Sequence, residues 1–461
     1  MEKYDLAVIG SGPGGYVAAI RAAQRGMRVV CIEKEKTFGG TCLNVGCIPS
    51  KALLHSTEYY HKIHTEGKEH GIEYDNLHIN LSQMMKRKDT VVSSLVKGID
   101  YLFKKNKITA IQAKARLLSN TTIEAGDQTV EASHIILATG SEPISLPFLP
   151  FDEKVILSST GALSLSEIPK KMLIVGAGII GLELGSVYQR MGAEIEVVEL
   201  LDRVTPTLDQ DVSKTVFQIL KHQGMTFYLK HKVQGGEKKN KQVHLTIEDA
   251  QGKTSGLEGD VVLISIGRRP HSEGLGLEEL GIKTDPQKRV IVDGSFCTSI
   301  PTIYAIGDLI NGPMLAHKAS EEGIAVVDLI AGDQNRMNYL TIPNVMYTWP
   351  EVAAVGMTEQ EAKESGLSLS VGKVSFKAVP RARCSGDDEG MVKVIGEKTT
   401  DRLIGMHLVG PNASEMIHEG VVAMEKKMTL KELAHASHAH PTCSEAIKEA
   451  ALAAHNQAIH L

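Results

Sequence analysis

The sequence predicts an α/β chain: two doubly wound domains of parallel strands and helices, then an α+β domain of antiparallel strands and helices. Three observations carry this. A strand, a glycine-rich turn, a helix and a second strand occur in that order twice, over residues 4–33 and 171–199. From about residue 346 this pattern gives way to alternating apolar and polar segments of the antiparallel kind. The length of 461 residues, 42% hydrophobic and 23% charged, suits a globular chain of about two to four domains.

Residues 4–9 form the first strand, Gly10-x-Gly12-x-x-Gly15 the turn, and an alanine-rich helix runs to about Gly26. The next strand, residues 28–32, ends at Glu33. In that order these elements are a Rossmann-like dinucleotide fingerprint. The first glycine makes the tight turn, the second lets a pyrophosphate approach the backbone, and the third packs helix on strand. The helix N-terminus stabilises the phosphates, and Glu33 accepts from a ribose hydroxyl. The module recurs as strand 171–175, Gly176-x-Gly178-x-x-Gly181, a helix to about Met191, and strand 194–198 ending at Glu199. Gly10 to Glu33 and Gly176 to Glu199 both span 23 positions. An internal repeat of this kind implies two nucleotide-binding domains and two cofactors, one resident and one exchanging. A carboxylate at Glu199 favours a free ribose 2′-hydroxyl and repels a 2′-phosphate, which selects NAD over NADP. Leu200 and Leu201 follow it, and only Arg203 is basic nearby.

Cys42 and Cys47 lie just beyond the first module, in Gly39-Gly40-Thr41-Cys42-Leu43-Asn44-Val45-Gly46-Cys47-Ile48-Pro49-Ser50-Lys51. Five positions on a regular helix separate Cα atoms by about 8.6 Å, and a disulfide needs roughly 4.4–6.8 Å. A bridge here therefore requires a distorted turn, for which Gly39, Gly40 and Gly46 supply backbone freedom. Strained bridges are the more easily reduced. Two unpaired core cysteines would be the alternative for a bare pair at this spacing; beside a nucleotide fingerprint, a thiol pair exchanging electrons with a nucleotide cofactor is the stronger reading. Residues 135–140 read as a buried strand ending in a turn, and residues 302–308 as another with Asp308 at its tip. Asp308 binds a polyol hydroxyl or caps a helix. Residues 314–322 start a helix whose first amides could face a flavin ring oxygen.

In the last domain, residues 368–378 and 390–408 alternate as antiparallel strands do, with helices at 414–426 and from Cys443, an arrangement suited to association. His440-Pro441-Thr442-Cys443-Ser444-Glu445 is the second chemical constellation. Pro441 drives His440 out of helical conformation, and Thr442 with Glu445 fits a capping box opening the last helix. A general base beside a thiol needs a near-neutral pKa, and histidine is the residue type that fits that demand, which points to His440. His435, His438 and His455 are close in sequence, but no carboxylate or cysteine completes a metal-ligand spacing with them. The net charge of −5 offers no basic field to nucleic acid or an anionic membrane. No apolar run reaches the 18 residues of a membrane span, and no leader precedes the first strand, which predicts a cytoplasmic protein. Six cysteines are too few for a disulfide scaffold. Cys31, Cys297, Cys384 and Cys443 have no partner at a telling spacing, which fits a reducing compartment.

Together these stretches resemble the pyridine nucleotide–disulfide oxidoreductase family over essentially the whole chain, Gly10 through Glu445, and most closely its dihydrolipoamide-oxidising members. The segment from Gly39 to Lys51 matches the family's redox motif, His440-Pro441-Thr442 with Ser444 and Glu445 its base motif, and Pro350-Glu351-Val352-Ala353 its interface motif. The resemblance implies an FAD-binding domain over 1–150 that continues over 271–345, an NAD-binding domain over 151–270, and an interface domain over 346–461. It implies tightly held FAD contacted by Gly10, Gly12, Gly15, Glu33, Lys51, Ala115, Thr139, Gly140, Ser141, Asp308, Met314, Leu315, Ala316 and His317. Lys51 would lie near the flavin N5 and pair with Glu183. NAD would be bordered by Gly176, Gly178, Gly181, Glu183, Glu199, Val233 and Gly267. Catalysis would fall to Cys42, Cys47, His440 and Glu445, in a homodimer whose His440 reaches the cysteine pair of the other subunit. The implied partners are a lipoyl domain of an acyltransferase or an H-protein, and the peripheral-subunit-binding domain of a 2-oxo acid dehydrogenase complex. A glutathione reductase-like member would carry basic residues after the second fingerprint. Mercuric reductase-like and large thioredoxin reductase-like members would carry a C-terminal cysteine pair, and this tail has only Cys443. A non-catalytic flavin-binding scaffold would not need Cys42, Cys47, His440 and Glu445 together. Two departures stand out: Ala378-Val379-Pro380-Arg381-Ala382 replaces the usual Ala-Asn-x-Arg-Ala, and Cys443 takes a place that is often aliphatic, as a small buried hydrophobe or an oxidation-sensitive thiol.

Overall fold

A computed structural model describes residues 2–334 and 337–460. The chain divides into two compact units, Met1–Leu53 with Asn80–Ile144 and Gly267–Met337, and Leu54–Ile79 with Ser145–Ile266 and Asn338–Leu461.

The first unit is built on a seven-stranded sheet. Its strands lie in the order Thr109–Gln112, Val29–Glu33, Lys3–Ile9, Gln128–Leu137, Thr122–Ala125 and Ala115–Leu117, with Ile303–Ala305 also paired to Gln128–Leu137. Val29–Glu33, Lys3–Ile9, Thr109–Gln112 and Ile303–Ala305 are parallel pairings, and the hairpin side is antiparallel. Val29–Glu33 is buried at every position, as an interior parallel strand covered on both faces must be. The helix Pro13–Gln24 turns Ala18, Ala19 and Ala22 to the core. These small side chains keep the helix N-terminus close to the strand ends, where the glycine turn sits.

The second unit repeats that logic. Its parallel sheet has the order Thr226–Leu229, Glu194–Glu199, Lys171–Val175, Val261–Ile264 and Ile156–Leu157. The helix Ile179–Arg190 follows the second glycine turn. A three-stranded antiparallel sheet comprises Lys232–Lys239, Gln242–Glu248 and Thr254–Gly259. The C-terminal part is a five-stranded antiparallel sheet, Asn344–Met346, Glu351–Gly356, Leu403–Gly410, Met391–Glu397 and Leu369–Ser375 in spatial order. The helices Ala413–Glu425 and Glu445–Ala453 bury Ile417, Ile447 and Ala450 in a core with Val374, Val392 and Leu408. Cys443 belongs to that core, and burial pushes its thiol up.

A buried ionic cluster also lies in the second unit. Lys393 Nζ donates to Asp209 Oδ1 at 2.8 Å, Asp211 Oδ2 at 2.9 Å and Glu359 Oε2 at 2.7 Å. Asp209 is itself the N-cap of the helix Gln210–His222. No helix among the described residues is long and apolar enough to cross a membrane.

The predicted elements are present, with three shifts. The helix expected from Met314 begins at Ala316, and the last helix begins at Glu445 instead of Cys443. The capping box at Thr442 is only half formed. Glu445 Oε2 accepts the Thr442 amide at 2.8 Å, but the Thr442 hydroxyl donates to Ala439 O at 2.8 Å and does not cap the helix.

Candidate active site

The two glycine turns are wired alike. Glu33 Oε2 accepts the Ser11 amide at 2.9 Å, and its Oε1 accepts the Glu35 amide at 2.9 Å. Glu199 Oε2 accepts the Ala177 amide at 2.7 Å, and its Oε1 accepts the Leu201 amide at 2.8 Å. Each carboxylate thus holds the residue after the first glycine and the residue two places beyond itself. The helices that follow begin at Gly12 and Gly178 with no side-chain cap, which leaves their first amides open to a phosphate. The helix Ala316–Ile330 opens at Leu315 in the same uncapped way. Together these open amides and strand-end carboxylates fit the dinucleotides that the sequence implies.

The redox segment is two helices, Gly40–Val45 and Cys47–Glu66, with Gly46 as the break. A Cβ on Gly46 would stand 2.9 Å from Thr41 O and 3.1 Å from Cys42 Cα, so only glycine allows this close return. Gly40 has φ +60°, and a Cβ there would lie 2.5 Å from Gly12 Cα. The cysteine helix therefore starts directly against the first glycine turn. The Gly39 amide completes the link by donating to Ser11 O at 3.0 Å.

Cys42 and Cys47 are both half-buried, and Cys42 is hydrogen-bonded to Cys47. The break at Gly46 thus brings the two sulfurs within reach of each other, the proximity that a bridge at this spacing requires. The hydrogen bond to Cys47, then burial, push the Cys42 thiol well above the ordinary range, while Lys51 pulls it back.

Thr139, Gly140 and Ser141 lie beside the same turn, since a Cβ on Gly10 would come 3.2 Å from Thr139 Cα. Thr139 Oγ1 donates to His271 O at 2.7 Å, and the Gly140 carbonyl accepts the His271 amide at 2.8 Å. Ser141 Oγ donates to Asp308 Oδ2 at 2.5 Å. Arg268 Nε donates to that hydroxyl at 2.7 Å, and its Nη2 to Ser141 O at 2.7 Å. Burial pulls the Arg268 guanidinium below its usual range, against the negative charge of Asp308 and Cys47. Arg268 is a site residue that the sequence reading overlooks. The signal was the run Gly267-Arg268-Arg269-Pro270 directly after a buried strand. A buried pair, Lys318 Nζ to Glu322 Oε1 at 3.1 Å, was also overlooked; Lys318 and Glu322 hold the Gly307 carbonyl and amide at 2.9 and 2.7 Å, fixing the turn that bears Asp308.

Other expected contacts are placed separately. Ala115 is buried in the sheet's edge strand, and Gly267 lies in the first unit at φ +130°, its carbonyl accepting the Ile144 amide. In the second unit, Val233 sits in Lys232–Lys239, and Glu183 is buried with Oε1 accepting the Tyr347 amide at 2.9 Å. His440 Nδ1 meets Glu445 Oε1 at 2.8 Å. Burial opposes ionisation of Glu445, yet the Thr442 amide and the His440 ring hold its carboxyl below the usual range. An anionic Glu445 fixes the proton on Nδ1 and leaves Nε2 as a free base.

Residues 4–323 match the family described as pyridine nucleotide-disulphide oxidoreductase, and residues 342–451 match its dimerisation domain. The chain belongs to that family. Among its relatives in the family, dihydrolipoyl dehydrogenase of Pisum sativum is 49% identical, with all of this chain and 93% of the relative covered. Leghemoglobin reductase of Glycine max is 48% identical over 99% of this chain and 88% of the relative. Among solved structures, LpdA of Mycobacterium tuberculosis superposes with a TM-score of 0.90 at 27% identity, covering 98% of this chain and 99% of its own.

Proposed function

We propose that this oxidoreductase converts protein-bound dihydrolipoamide to lipoamide and delivers the electron pair through FAD to NAD. The observation that carries the reading is the close Cys42–Cys47 pair, seated by Gly40 and Gly46 against the first nucleotide turn. FAD would be held by the Gly10–Gly15 turn, Glu33, Lys51, Ala115, Thr139 to Ser141, Asp308 and the Met314–His317 helix start; NAD by Gly176 to Gly181, Glu183, Glu199, Val233 and Gly267. Lys51 pairs with Glu183 in this reading. The corresponding domains are 1–150 with 271–345 for FAD, 151–270 for NAD and 346–461 for association. The dimerisation domain makes the assembly a homodimer.

In the oxidised enzyme, Cys42 and Cys47 are bridged. One substrate thiol gives its proton to Nε2 of His440 on the partner subunit, and the thiolate attacks Cys42. The bond between the two cysteines breaks, Cys47 leaves as a thiolate, and a mixed disulfide joins substrate to Cys42. The second substrate thiol closes on the first substrate sulfur, expelling Cys42, which takes up a proton. Lipoamide leaves, and the enzyme retains the electron pair as the dithiol. Bound FAD supplies the step that re-oxidises the dithiol and hands the pair to NAD. Glu445 keeps the imidazole in the productive tautomer and stabilises the imidazolium. The substrate arm arrives on a lipoyl domain of an acyltransferase or an H-protein, and the dimer docks on a peripheral-subunit-binding domain.

Anaerobic addition of dihydrolipoamide to the FAD-loaded protein should produce a long-wavelength absorption from a thiolate beside the flavin. A spectrum that stays unchanged overturns the reading.

A further inference from the structure

His438 precedes the base by two residues and takes no part in the chemistry above. Only 7% of its side chain is exposed. Its Nδ1 lies 3.0 Å from Ala436 O, and its Nε2 lies 2.7 Å from Glu419 Oε1. Both are hydrogen-bond acceptors with nothing to donate. A neutral imidazole has one N–H and would turn a lone pair on one of these oxygens; only the doubly protonated ring satisfies both. The charged groups facing it come from two helices. Glu419, on Ala413–Glu425, is its direct partner, and Lys448 and Glu445, on Glu445–Ala453, act at longer range. The hydrogen bond to Glu419 pushes the ring up, against burial and Lys448. His438 is also among the positive neighbours that depress Glu445.

We propose that His438 is an imidazolium that acts as a positioning residue for the His440–Glu445 pair, its charge holding Glu445 anionic and opposing a second positive charge beside it. The inference rests on the reading of His440 as the base, and it adds a charge that neither motif contains. His440 and His438 thereby divide the work: the exposed ring moves protons, and the shielded ring supplies charge.

Two measurements on the FAD-loaded dimer test this. In solid-state 15N spectra of histidine-labelled protein, the signal lost in His438→Gln should show both ring nitrogens protonated at about pH 8. In Glu419→Gln the same signal should convert to the neutral form by that pH. A neutral His438 in the unsubstituted protein overturns the proposal, and this readout needs no turnover. In the kcat/KM profile for dihydrolipoamide oxidation, His438→Gln removes a positive charge and leaves Glu419 alone. Both changes favour protonation of the base, so the acid limb should move up by roughly half a pH unit. A lower rate with an unmoved limb would make His438 merely structural and overturn the proposal. If His438→Gln does not fold, the spectra of unsubstituted and Glu419→Gln protein still decide. A cationic His438 in a protein without lipoamide activity would sink the proposed function and leave the charge assignment standing.

Discussion

At the scale of single residues, the chemistry divides between groups that react and groups that hold them. Cys47→Ser removes the only covalent route from substrate to cofactor. Lipoamide turnover should disappear, while oxidation of NADH by small artificial acceptors persists; substantial lipoamide turnover in this variant would contradict the scheme. Glu199→Arg should shift the ratio of kcat/KM values from NAD toward NADP, since a 2′-phosphate then meets a cation. Glu199 also accepts the buried amides of Ala177 and Leu201. The substitution should therefore lower stability to denaturant by about 1–3 kcal/mol as well, and an unchanged preference would show that Glu199 does not read the ribose. The reacting residues were legible in the sequence because their motifs are local: Cys42 with Cys47, and His440 with Glu445. Arg268 was not, because its partner Ser141 lies 127 positions away. Nothing in either short segment announces the other.

At the scale of elements, interruptions and clamps matter more than propensity. The spacing of the cysteines already required a broken helix, and the break falls at Gly46. The start of the last helix was misplaced because the Thr442 hydroxyl prefers the Ala439 carbonyl, a competition between local hydrogen bonds that a pattern search does not weigh. The Lys393 cluster had no sequence signal, since it joins a helix N-cap to a strand 184 positions away. Burial pulls the Lys393 ammonium down, but its bonds to Asp209, Glu359 and Asp211 push it up to about 12. Burial likewise raises Asp209, and Lys393 more than offsets this, holding the carboxyl below its usual range. The carboxylate contribution is complete above the unfolded value of about 3.9 and is lost as pH falls through the depressed folded value. The lysine contribution is complete below about 10.4 and is lost as pH rises through the elevated one. Lys393→Met should cost about 3–5 kcal/mol in urea unfolding at neutral pH, because Asp209 keeps a buried, unpaired charge. A cost under about 1 kcal/mol would show that water reaches the cluster.

At the scale of the whole molecule, the repeat in the sequence reappears as two sheets, each with parallel strands around the same turn and the same acidic anchor. The fold class was legible for that reason, since periodicity and fingerprint agree at every step of each copy. Association was legible as an α+β tail without a nucleotide fingerprint and in the motif Pro350-Glu351-Val352-Ala353. The dimer makes a sharp prediction. Co-expressed chains, one carrying Cys47→Ser and the other His440→Gln, form a mixed dimer. One of its two sites should combine an intact cysteine pair with an intact histidine. Purified mixed dimers should recover about half of the normal lipoamide turnover per dimer, whereas either parent homodimer stays inactive; mixed dimers as inactive as the parents would place the base and the cysteine pair on the same subunit.

The two turns differ at one telling position. Ser11 places its hydroxyl 2.6 Å from Glu33 and accepts the Gly39 amide at 3.3 Å, while the equivalent Ala177 has no hydroxyl to offer. The serine therefore moors the redox segment to the first turn, and residues 39–51 transplanted behind the second turn would lack that anchor unless Ala177→Ser supplied it.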